Sequence, residues 1–537
     1  MPVFAPRLTQ DAAFAENRDY MLAQIAKMRA LEQRTRDASA KAGPRFAKRG
    51  QLLPRERLAL LLDANAPVLE LSALSGYMLD KPDPATSIPG SGIAVCIGYV
   101  SGVRCLVIAD DSGIDAGALQ PMGLEKFQRA QNIALDQKLP FIHLVESAGA
   151  NLLGYRVEDF VRGGGNFCGL ARLSAAGNPV IALVHGSSTA GGAYMTGLSD
   201  YVVMVRDRAK AFLAGPPLLK AATGEIATDE ELGGAQMHGT VSGLAGYLTE
   251  NDADGIRIVR DLVRSIGATD AWPSREGVKP PRFPAEDLLG LMPKDGRKPV
   301  DMREIVSRIV DDSELLEFKA DYGPGTVCLH ASICGEPVGI LTNNGPIDPA
   351  GANKATHFIQ ACCQSDVALV YLQNTTGYLV GKEPERAGMI KHGSKMIQAV
   401  ANASVPQVTI MCGASYGAGN YGMCGRGFDP DFLFSWPNAR TAVMGAEQAA
   451  NTMVNVMADA AKAKGNGADA SMLEGLRKKV VENFERQMPA FYTSGRMLDD
   501  GVIDPRDTRN AIAFALSICR AGQKKQLRPT SFGVARP

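Results

Sequence analysis

Apolar and polar residues alternate along the chain with the periods of helices and strands. Residues 15–42 are charged, rich in alanine and free of glycine and proline, which predicts a long amphipathic helix. Leu58–Leu62 predicts a short helix. Two apolar runs, Ile93–Val100 and Val103–Ala109, flank Ser101-Gly102 and predict a hairpin with a two-residue turn. Strand-like runs then alternate with helical patterns, so the sequence predicts an α/β fold.

The strand-like runs recur at a constant offset in the two halves of the chain. Each half contains two such runs, and the second run leads into a stretch rich in glycine, alanine and serine. Adding 227 to the residue number carries Pro140 onto Val367, Pro179 onto Pro406, Gly186 onto Gly413, and the pair Gly191-Gly192 onto Ala418-Gly419. Landmarks that share one offset without a gap predict that the halves are copies of one fold.

A segment rich in proline and glycine separates these halves. Gly267–Pro284 shows little periodicity and predicts a linker. We therefore expect two domains, residues 1–275 and residues 276–537. The stretch from Gly522 onward carries lysine, arginine and proline, and we expect it to be a surface extension.

Composition and charge exclude several classes of protein. Apolar residues make up 45% and charged residues 21%, as in a globular enzyme. The 57 basic and 57 acidic residues cancel, so no basic surplus indicates a nucleic-acid partner. The longest apolar stretches, such as Pro179–Val184, fall far short of the roughly 18 residues that span a membrane. The first residues lack the apolar run of a secretory signal, and the ten cysteines lack a paired spacing, so we expect a cytoplasmic protein with reduced thiols.

The glycine-rich stretches that follow the strands can bind an anion. Glycine and alanine let a ligand approach the backbone closely, and the first turn of a helix presents N–H groups without partners. Together they can form an oxyanion hole for an enolate or an alkoxide. Small residues can also serve only to let a helix pack on a strand. Packing does not require both halves to keep the small pair, so the repeat favours two binding sites.

Other patterns in the chain are weaker. Gly413–Gly417 fits the G-x-S-x-G nucleophile elbow, but a hydrolase needs a later histidine and none follows His392. Gly417–Gly422 fits G-x-G-x-x-G, yet its first glycine is not at the strand end. The six histidines show no metal-ligand spacing, and the P-loop motif is missing. We therefore predict neither a hydrolase nor a metal enzyme.

Longer motifs carry a family resemblance. They are Ser188–Tyr194, Ala214–Glu225, Thr356–Gln360, Leu372–Tyr378, Tyr416–Arg426 and Trp436–Arg440. Through them the chain resembles the carboxyltransferase (β) subunits of biotin-dependent acyl-CoA carboxylases over residues 20–515. The resemblance is strongest to the methylcrotonoyl-CoA and geranyl-CoA carboxylase branch.

The resemblance implies tandem duplicated crotonase-like (ClpP/crotonase) domains. Residues 1–275 would bind the acyl-CoA and residues 276–537 the carboxybiotin, with the site between the N-domain of one subunit and the C-domain of another. Gly191 and Gly192 would hold the thioester enolate, which attacks CO₂, while Ala418 and Gly419 would hold the ureido oxygen of biotin. The residues that would line the cofactor and substrate sites are Ala190, Ala193, Lys220, Tyr416, Gly417, Asn420 and Tyr421. This chemistry needs no side-chain base.

The same resemblance implies a partner protein. Biotin attachment needs A-M-K-M or a close variant, and the nearest match, Gly393–Met396, sits in a helical pattern. No segment resembles an ATP-grasp enzyme. The chain is therefore expected to act with an α subunit that supplies biotin carboxylase and the biotin carrier, in an assembly with a hexameric β core.

Three segments of the first half depart from the methylcrotonoyl-type pattern. Glu146–Ala150 replaces D-S-G-G-A, and Asp115–Ala118 replaces K-G-G-T with the loss of a lysine. Asp159–Asn166, interpreted as a loop, has Gly163–Gly165 where that type has an aromatic residue. The glycines predict a roomier pocket, suited to a geranyl-like or other long acyl chain.

Other functions stay open on the sequence alone. A carboxyltransferase of a biotin-dependent decarboxylase, of the glutaconyl-CoA type, would run the same half-reaction in reverse. A biotin-free crotonase-like hydratase or isomerase would need a carboxylate at the first glycine-rich turn, and Glu146 is the candidate. A non-catalytic scaffold subunit would not need both oxyanion pairs.

Overall fold

The computed structural model describes residues 1–79, 81–150, 156–266, 276–463 and 469–534, with the backbone alone for Leu119 and Ala150. Residues 267–275, which make up half of the expected linker, lie outside these ranges.

Strands occur in two groups along the described chain. The first group is β1 (Leu69–Leu71), β2 (Ile93–Val100), β3 (Val103–Asp110), β4 (Ala118–Leu119), β5 (Phe141–Ser147), β6 (Gly149–Ala150), β7 (Val180–Thr189), β8 (Tyr201–Val205), β9 (Lys210–Phe212) and β10 (Tyr247–Thr249). The second group is β11 (Leu316–Glu317), β12 (Thr326–Ile333), β13 (Glu336–Asn343), β14 (Ala368–Thr375), β15 (Gln407–Tyr416), β16 (Phe432–Ser435) and β17 (Arg440–Ala442).

Helices connect and cover these strands. In the first part of the chain they are α1 (Ala12–Ala40), α2 (Gly43–Lys48), α3 (Pro54–Leu61), α4 (Pro121–Asp136), α5 (Val157–Ala176), α6 (Gly191–Gly197), α7 (Pro216–Thr223), α8 (Asp229–Gly233), α9 (Ala235–Thr240) and α10 (Asp252–Ile266). The rest are α11 (Leu288–Leu291), α12 (Met302–Ser307), α13 (Pro349–Gln364), α14 (Lys382–Arg386), α15 (Met389–Ala401), α16 (Gly419–Gly422), α17 (Ala446–Ala463), α18 (Ala470–Gln487), α19 (Ala490–Gly495) and α20 (Thr508–Lys524). None of the helices in the described ranges is long and apolar enough to cross a membrane.

The local elements expected near the start of the chain are present. Helix α1 covers the predicted amphipathic helix, α3 the short helix, and β2 and β3 form the hairpin. Ser101 has φ 51° and Gly102 has φ 80°, the left-handed conformation that a two-residue hairpin turn needs.

Each half of the chain builds one large mixed sheet, and β4 and β6 of the first half form a separate two-stranded sheet. The N-half sheet has the order β1-β2-β3-β5-β7-β8-β10, with β9 beside the end of β7. The C-half sheet has the order β11-β12-β13-β14-β15-β16, with β17 beside the end of β15. Strands β5 and β7 begin at residues 141 and 180, and β14 and β15 at residues 368 and 407. The offset is 227 in both cases, so the predicted α/β class and the duplication are confirmed.

The central strands are buried, which fixes the position of the turns at their ends. Every residue of β3 and β5 is buried, as is usual for parallel strands that helices cover on both faces. In the N-half core, Leu144 and Leu183 pack with Val259 of α10. In the C-half core, Leu369 packs with Met396 of α15. The turns at the ends of these strands are therefore held in place by the packed core.

The ends of the chain do not follow the expected division into residues 1–275 and 276–537. One compact unit contains Met1–Arg29, Arg275–Ser494 and Leu498–Ser517. The other contains Ala30–Ser274, Gly495–Met497 and Ile518–Pro537. The first residues join the second half because Val3 forms a β-bridge with Glu314. The last residues join the first half, where the Thr530 N–H donates to the Ala175 carbonyl.

Candidate active site

The first glycine-rich turn, residues Ala190–Ala193, connects β7 to α6. Ala190 has φ 52° and ψ −117°, a backbone conformation that alanine rarely adopts. Its N–H donates to the Phe212 carbonyl at the end of β9, at 3.0 Å, and the Ala193 N–H donates back to the Ala190 carbonyl at 3.1 Å. Strand β9 therefore holds the turn in its strained conformation.

The second turn, residues Gly417–Asn420, repeats this arrangement between β15 and α16. Gly417 has φ 55°. Its N–H donates to the Ala442 carbonyl at the end of β17, at 2.9 Å, and the Asn420 N–H donates to the Gly417 carbonyl at 3.2 Å. Gly417 and Asn420 lie 227 positions after Ala190 and Ala193, and Ala442 lies 230 positions after Phe212. The repeat thus extends to single hydrogen bonds.

Four backbone amides are left over by these bonds. The N–H groups of Gly191, Gly192, Ala418 and Gly419 donate no hydrogen bond within the part of the chain that the structure describes. They are the two pairs that the sequence singled out. Adjacent N–H groups at the start of a helix can donate hydrogen bonds to an anionic oxygen. Each half therefore offers one pair of donors at the carboxyl end of a buried strand.

Each pair of amides is backed by a further turn, which contains Gly149 in the first half and Gly377 in the second half. The Gly149 N–H donates to the Ser147 hydroxyl, and the Gly377 N–H donates to the Thr375 hydroxyl, both at 3.2 Å. Both glycines have positive φ, 84° and 112°. A Cβ atom at Gly149 would lie 3.3 Å from the Thr189 carbonyl oxygen, so glycine allows this turn to lie close to β7.

Two of the segments that depart from the family pattern are neighbours in the structure. Ala118 in β4 pairs with Gly149 in β6, and the Ala148 N–H donates to the Gly117 carbonyl at 3.0 Å. Asp115 and Ala116 have φ 45° and 54°. The changes in Asp115–Ala118 and in Glu146–Ala150 therefore belong to one contact behind the first turn.

Glu146 is an ion-pair residue and not an accessible base. Its carboxylate lies 2.7 Å from the Arg57 guanidinium, and both side chains are almost fully buried. Arg57 also contacts Asp252 at 3.2 Å, and His185 lies 3.1 Å from the same carboxylate. Burial and the charge of Arg57 lower the pKa of His185 to about 4, so its imidazole is neutral. This cluster argues against the hydratase hypothesis, which needs Glu146 at the substrate.

Helix α5 lies beside the first turn, and this corrects the interpretation of Asp159–Asn166 as a loop. These residues are helical in spite of three consecutive glycines. Phe167 of α5 contacts the turn, since a Cβ atom at Gly191 would lie 3.3 Å from its ring. The same ring packs edge-on against Tyr194 at 6.2 Å.

The sequence did not single out Phe167, Arg57 or Gly377. Gly377 has a signal in the repeat, because it lies 228 residues after Gly149. Phe167 could have been found only with the correct helical reading of residues 159–166, since it stands four positions after Gly163 on one helix face. For Arg57, the sequence contains no motif that marks it.

Some side chains in and beside the second turn are hydrogen-bonded within the protein, and others face the surface. Asn420 donates to the Ser415 hydroxyl at 2.7 Å, and Ser415 donates to Gln373 at 2.5 Å. Ser415 is fully buried, so it is no nucleophile. Tyr416 is hydrogen-bonded to Arg440, whereas the Tyr421 ring is half exposed.

Lys220 stands apart from these contacts. It lies exposed in the last turn of α7, and its assignment to the cofactor and substrate sites stays a prediction.

Comparisons with known proteins agree with this geometry. The sequence model of the family described as "Carboxyl transferase domain" matches residues 45–533. The chain is 47% identical to a probable biotin-dependent acyl-coenzyme A carboxylase beta2 subunit of Mycobacterium tuberculosis over 504 residues, which cover 93% of this chain and 94% of that protein. It is 41% identical to the biotin-dependent 3-methylcrotonyl-coenzyme A carboxylase beta1 subunit of the same organism over 536 residues, 99% of each chain.

A solved structure shows the same fold. The crystal structure of the Pseudomonas aeruginosa geranyl-CoA carboxylase beta subunit is 51% identical, with a TM-score of 0.91 over the whole of both chains. The predicted fold of tandem crotonase-like domains is confirmed. The chain belongs to the carboxyl transferase domain family, and its predicted identity as a carboxyltransferase subunit of the biotin-dependent acyl-CoA carboxylase type is confirmed.

Proposed function

We propose that the chain transfers a carboxyl group from carboxybiotin, held by a partner subunit, to an acyl-CoA. The observation that carries this proposal is the pair of matched turns, each with two adjacent amides that have no partner in the described residues. The first turn binds the thioester oxygen through Gly191 and Gly192, with Ala190 and Ala193 shaping its backbone. Reactions that develop charge on two different carbonyl oxygens need two such donor pairs, whereas a hydratase needs one.

The second turn fits the ureido group of biotin. Ala418 is exposed and Gly419 is buried behind it, so the two amides open on one side only. A Cβ atom at Gly417 would lie 3.2 Å from the Val443 carbonyl oxygen, so the backbone here forms a narrow cradle. A planar, neutral carbonyl group matches such a cradle. Tyr416 and Asn420 support it from inside, and Tyr421 lies at its rim.

The residues of this chain have a limited chemical task. When bound, carboxybiotin would supply the carboxyl group as CO₂, and its ureido group, once the carboxyl group has left, would be the base that takes the substrate proton. The Gly191 and Gly192 amides stabilise the negative charge that develops on the thioester oxygen when the acyl group loses its proton. The neighbouring Glu146 carboxylate is held by Arg57 and so takes no proton from the substrate. The preorganised amides can contribute about 3–4 kcal/mol to the lowering of the barrier, by analogy with other oxyanion holes.

The acyl group that we propose is long and unsaturated, as in geranyl-CoA. Phe160 and Phe167 stand seven residues apart on α5, which places them on one face of the helix. Gly163 and Gly164 lie between them. A Cβ atom at Gly163 would lie 3.3 Å from Leu124 of α4, whereas one at Gly164 would meet nothing within 4 Å. The helix face that leads to Gly191 therefore has a gap between two aromatic rings, where an acyl chain can lie. An aromatic residue in the gap would shorten the pocket.

A matched pair of variants tests this assignment. We expect Gly164→Phe to reduce kcat/KM for geranyl-CoA by about tenfold or more and to affect 3-methylcrotonoyl-CoA little, since one blocked hydrophobic subsite is worth ~1–3 kcal/mol. Gly164→Ala is the control, because it strengthens the helix without filling the gap. An unchanged ratio of the two substrates in Gly164→Phe would refute the long-chain assignment.

The partners that we propose follow from the same family. The chain acts with an α subunit that bears the biotin carboxylase and biotin carrier, forms a hexameric β core, and works in the cytoplasm. Purified alone, the chain would show its oligomeric state by light scattering. Mixed with the α subunit, it would gain acyl-CoA carboxylation that neither protein shows alone.

A further inference from the structure

Helix α5 is an unusually weak helix for a wall of a binding site. Among its residues are Gly163, Gly164, Gly165 and Gly169. Glycine is among the poorest helix formers because it loses the most backbone freedom when it becomes ordered. The helix must therefore be held in place by contacts with other parts of the chain.

One such contact is helix α4. A Cβ atom at Gly165 would lie 2.7 Å from the Gln128 side-chain oxygen, and a Cβ atom at Gly169 would clash with the Gln131 side-chain oxygen. Gln131 donates to the Asn166 carbonyl at 2.8 Å. The glycines thus let α4 approach α5 closely, and this contact offsets the low helix propensity of the glycines.

A second contact lies at the other end of α5, in residues 525–534, which we call the strap. The Thr530 N–H donates to the Ala175 carbonyl at 2.8 Å, and the Val534 N–H donates to the Ser174 hydroxyl at 3.2 Å. Ala175 belongs to the last turn of the helix, where carbonyl groups have no partner within the helix. The strap therefore caps α5.

Further contacts fix the strap on this helix end. Gly177, which ends α5, lies so close to the strap that a Cβ atom there would be 2.8 Å from the Arg528 carbonyl oxygen. The Lys138 ammonium donates to the Lys525 carbonyl at 2.7 Å. The Gly533 N–H donates to the Thr530 hydroxyl at 3.0 Å, which shapes the strap itself. These bonds make the strap an ordered part of the helix end.

We propose that the strap is a positioning element of the acyl site. It holds the carboxyl end of α5 in place, so that Phe167 stays against Gly191 and the gap at Gly164 keeps its shape. The strap contacts neither substrate nor reacting atoms, and the residues it anchors are those of the acyl side alone. The inference rests on the proposed function for the identity of the bound molecule, but the stability of α5 can be measured without it.

A shortened chain that ends at Lys525 tests the proposal. We expect hydrogen exchange in α5 at least about fivefold faster, since loss of a capping hydrogen bond changes a helix-opening equilibrium by about this factor or more. With the α subunit present, KM for the acyl-CoA should rise at least threefold while kcat changes less. Decarboxylation of the carboxylated carrier without acyl-CoA should stay at the full-length rate. A peptide of residues 526–537 added in trans should restore KM.

A matched pair of point variants keeps the test sound if the shortened chain does not fold. Thr530→Pro removes the N–H that caps Ala175, whereas Thr530→Ala keeps it. Both variants lose the Thr530 hydroxyl, so the proline variant should show faster exchange in α5 and a higher KM than the alanine variant. Unchanged exchange and KM in Thr530→Pro would overturn the strap proposal. If the full-length chain shows no carboxyl transfer, the proposed function is overturned. If its α5 nevertheless exchanges more slowly than that of Thr530→Pro, the strap proposal still holds.

Discussion

The Cα atom of Gly377 lies so close to Gly419 that a methyl group on Gly419 would stand 2.8 Å from it. That methyl group would also lie 2.9 Å from Cγ2 of Thr375, and neither neighbour can move aside easily. At the equivalent Gly192, a methyl group would meet Ser147 at 3.5 Å, an ordinary contact. The two turns share one pattern of hydrogen bonds, but only the second requires glycine for steric reasons.

The two equivalent alanine substitutions should therefore differ. We expect Gly419→Ala to lower the free energy of unfolding by about 1–3 kcal/mol, because a methyl group is forced into filled space. Gly192→Ala should change it by less than about 1 kcal/mol, since the contact there is ordinary. Urea unfolding of both proteins measures the difference. Equal losses of stability would show that the asymmetry between the turns is wrong.

The role of the amides can be separated from the role of the small side chain. Gly192→Pro removes one N–H donor, and proline is tolerated in the first turn of a helix. Relative to Gly192→Ala, which keeps the donor, kcat should fall by about 10²–10³-fold, as it does when one oxyanion-hole donor is lost. Steady-state rates of carboxyl transfer give the comparison. A proline variant as active as the alanine variant would refute the role of this amide.

The buried ion pair below the first turn makes a separate prediction for stability. Arg57→Met leaves the buried Glu146 carboxylate without its ion-pair partner and removes the nearer cation from Asp252, which keeps Arg208 at 3.7 Å. This should lower the free energy of unfolding by about 3–5 kcal/mol. Glu146→Gln should cost less, because the equivalent residue of the second half, Gln373, is a buried amide. Urea unfolding compares the two variants.

Glu146→Gln also separates the proposed function from the hydratase alternative. We expect carboxyl transfer to persist in this variant. If the wild-type chain hydrates enoyl-CoA and Glu146→Gln abolishes that activity, the hydratase reading is right.

Asp499 should make the stability depend on pH. Burial raises the pKa of Asp499 to about 6 from 3.8, although the Ser435 hydroxyl donates to it at 2.7 Å. The folded state then binds the proton more tightly than the unfolded state, so this contribution is present below about pH 4 and is lost as the pH rises to about 6. The loss amounts to roughly 3 kcal/mol at most.

The control for this effect is Asp499→Asn, whose side chain does not titrate. As the pH rises from 4.5 to 7.5, the free energy of unfolding of the wild type should fall relative to that of Asp499→Asn. Urea unfolding at a series of pH values measures it. A constant difference across that range would show that Asp499 titrates normally.

Regular, repeated features could be predicted from the sequence, whereas features of tertiary packing could not. The offset of 227 located both pairs of amides, because strand and turn patterns are local and the duplication preserved them. The helical state of Asp159–Asn166 was missed, since three glycines predict a loop and tertiary contacts such as the close approach of α4 make a helix stable there. Tertiary packing outweighs the low helix propensity of these glycines.

Long-range partners were also beyond the sequence. Glu146 and Arg57 are 89 positions apart, and no pattern marks them as an ion pair. The position of Thr530 on the end of α5 joins residues 355 positions apart. Such contacts depend on how the elements pack, which periodicity and spacing do not encode.

The most direct test of the account follows a labelled carboxyl group. The cognate biotin-carrying subunit is loaded with carboxyl label and then mixed with this chain and geranyl-CoA. We predict acid-stable label on the CoA product with the wild type and with Gly192→Ala, and loss of that transfer in Gly192→Pro. If the carrier stays loaded and no CoA thioester, from 3-methylcrotonoyl-CoA to geranyl-CoA, acquires label, the chain is not the carboxyltransferase that its two turns indicate.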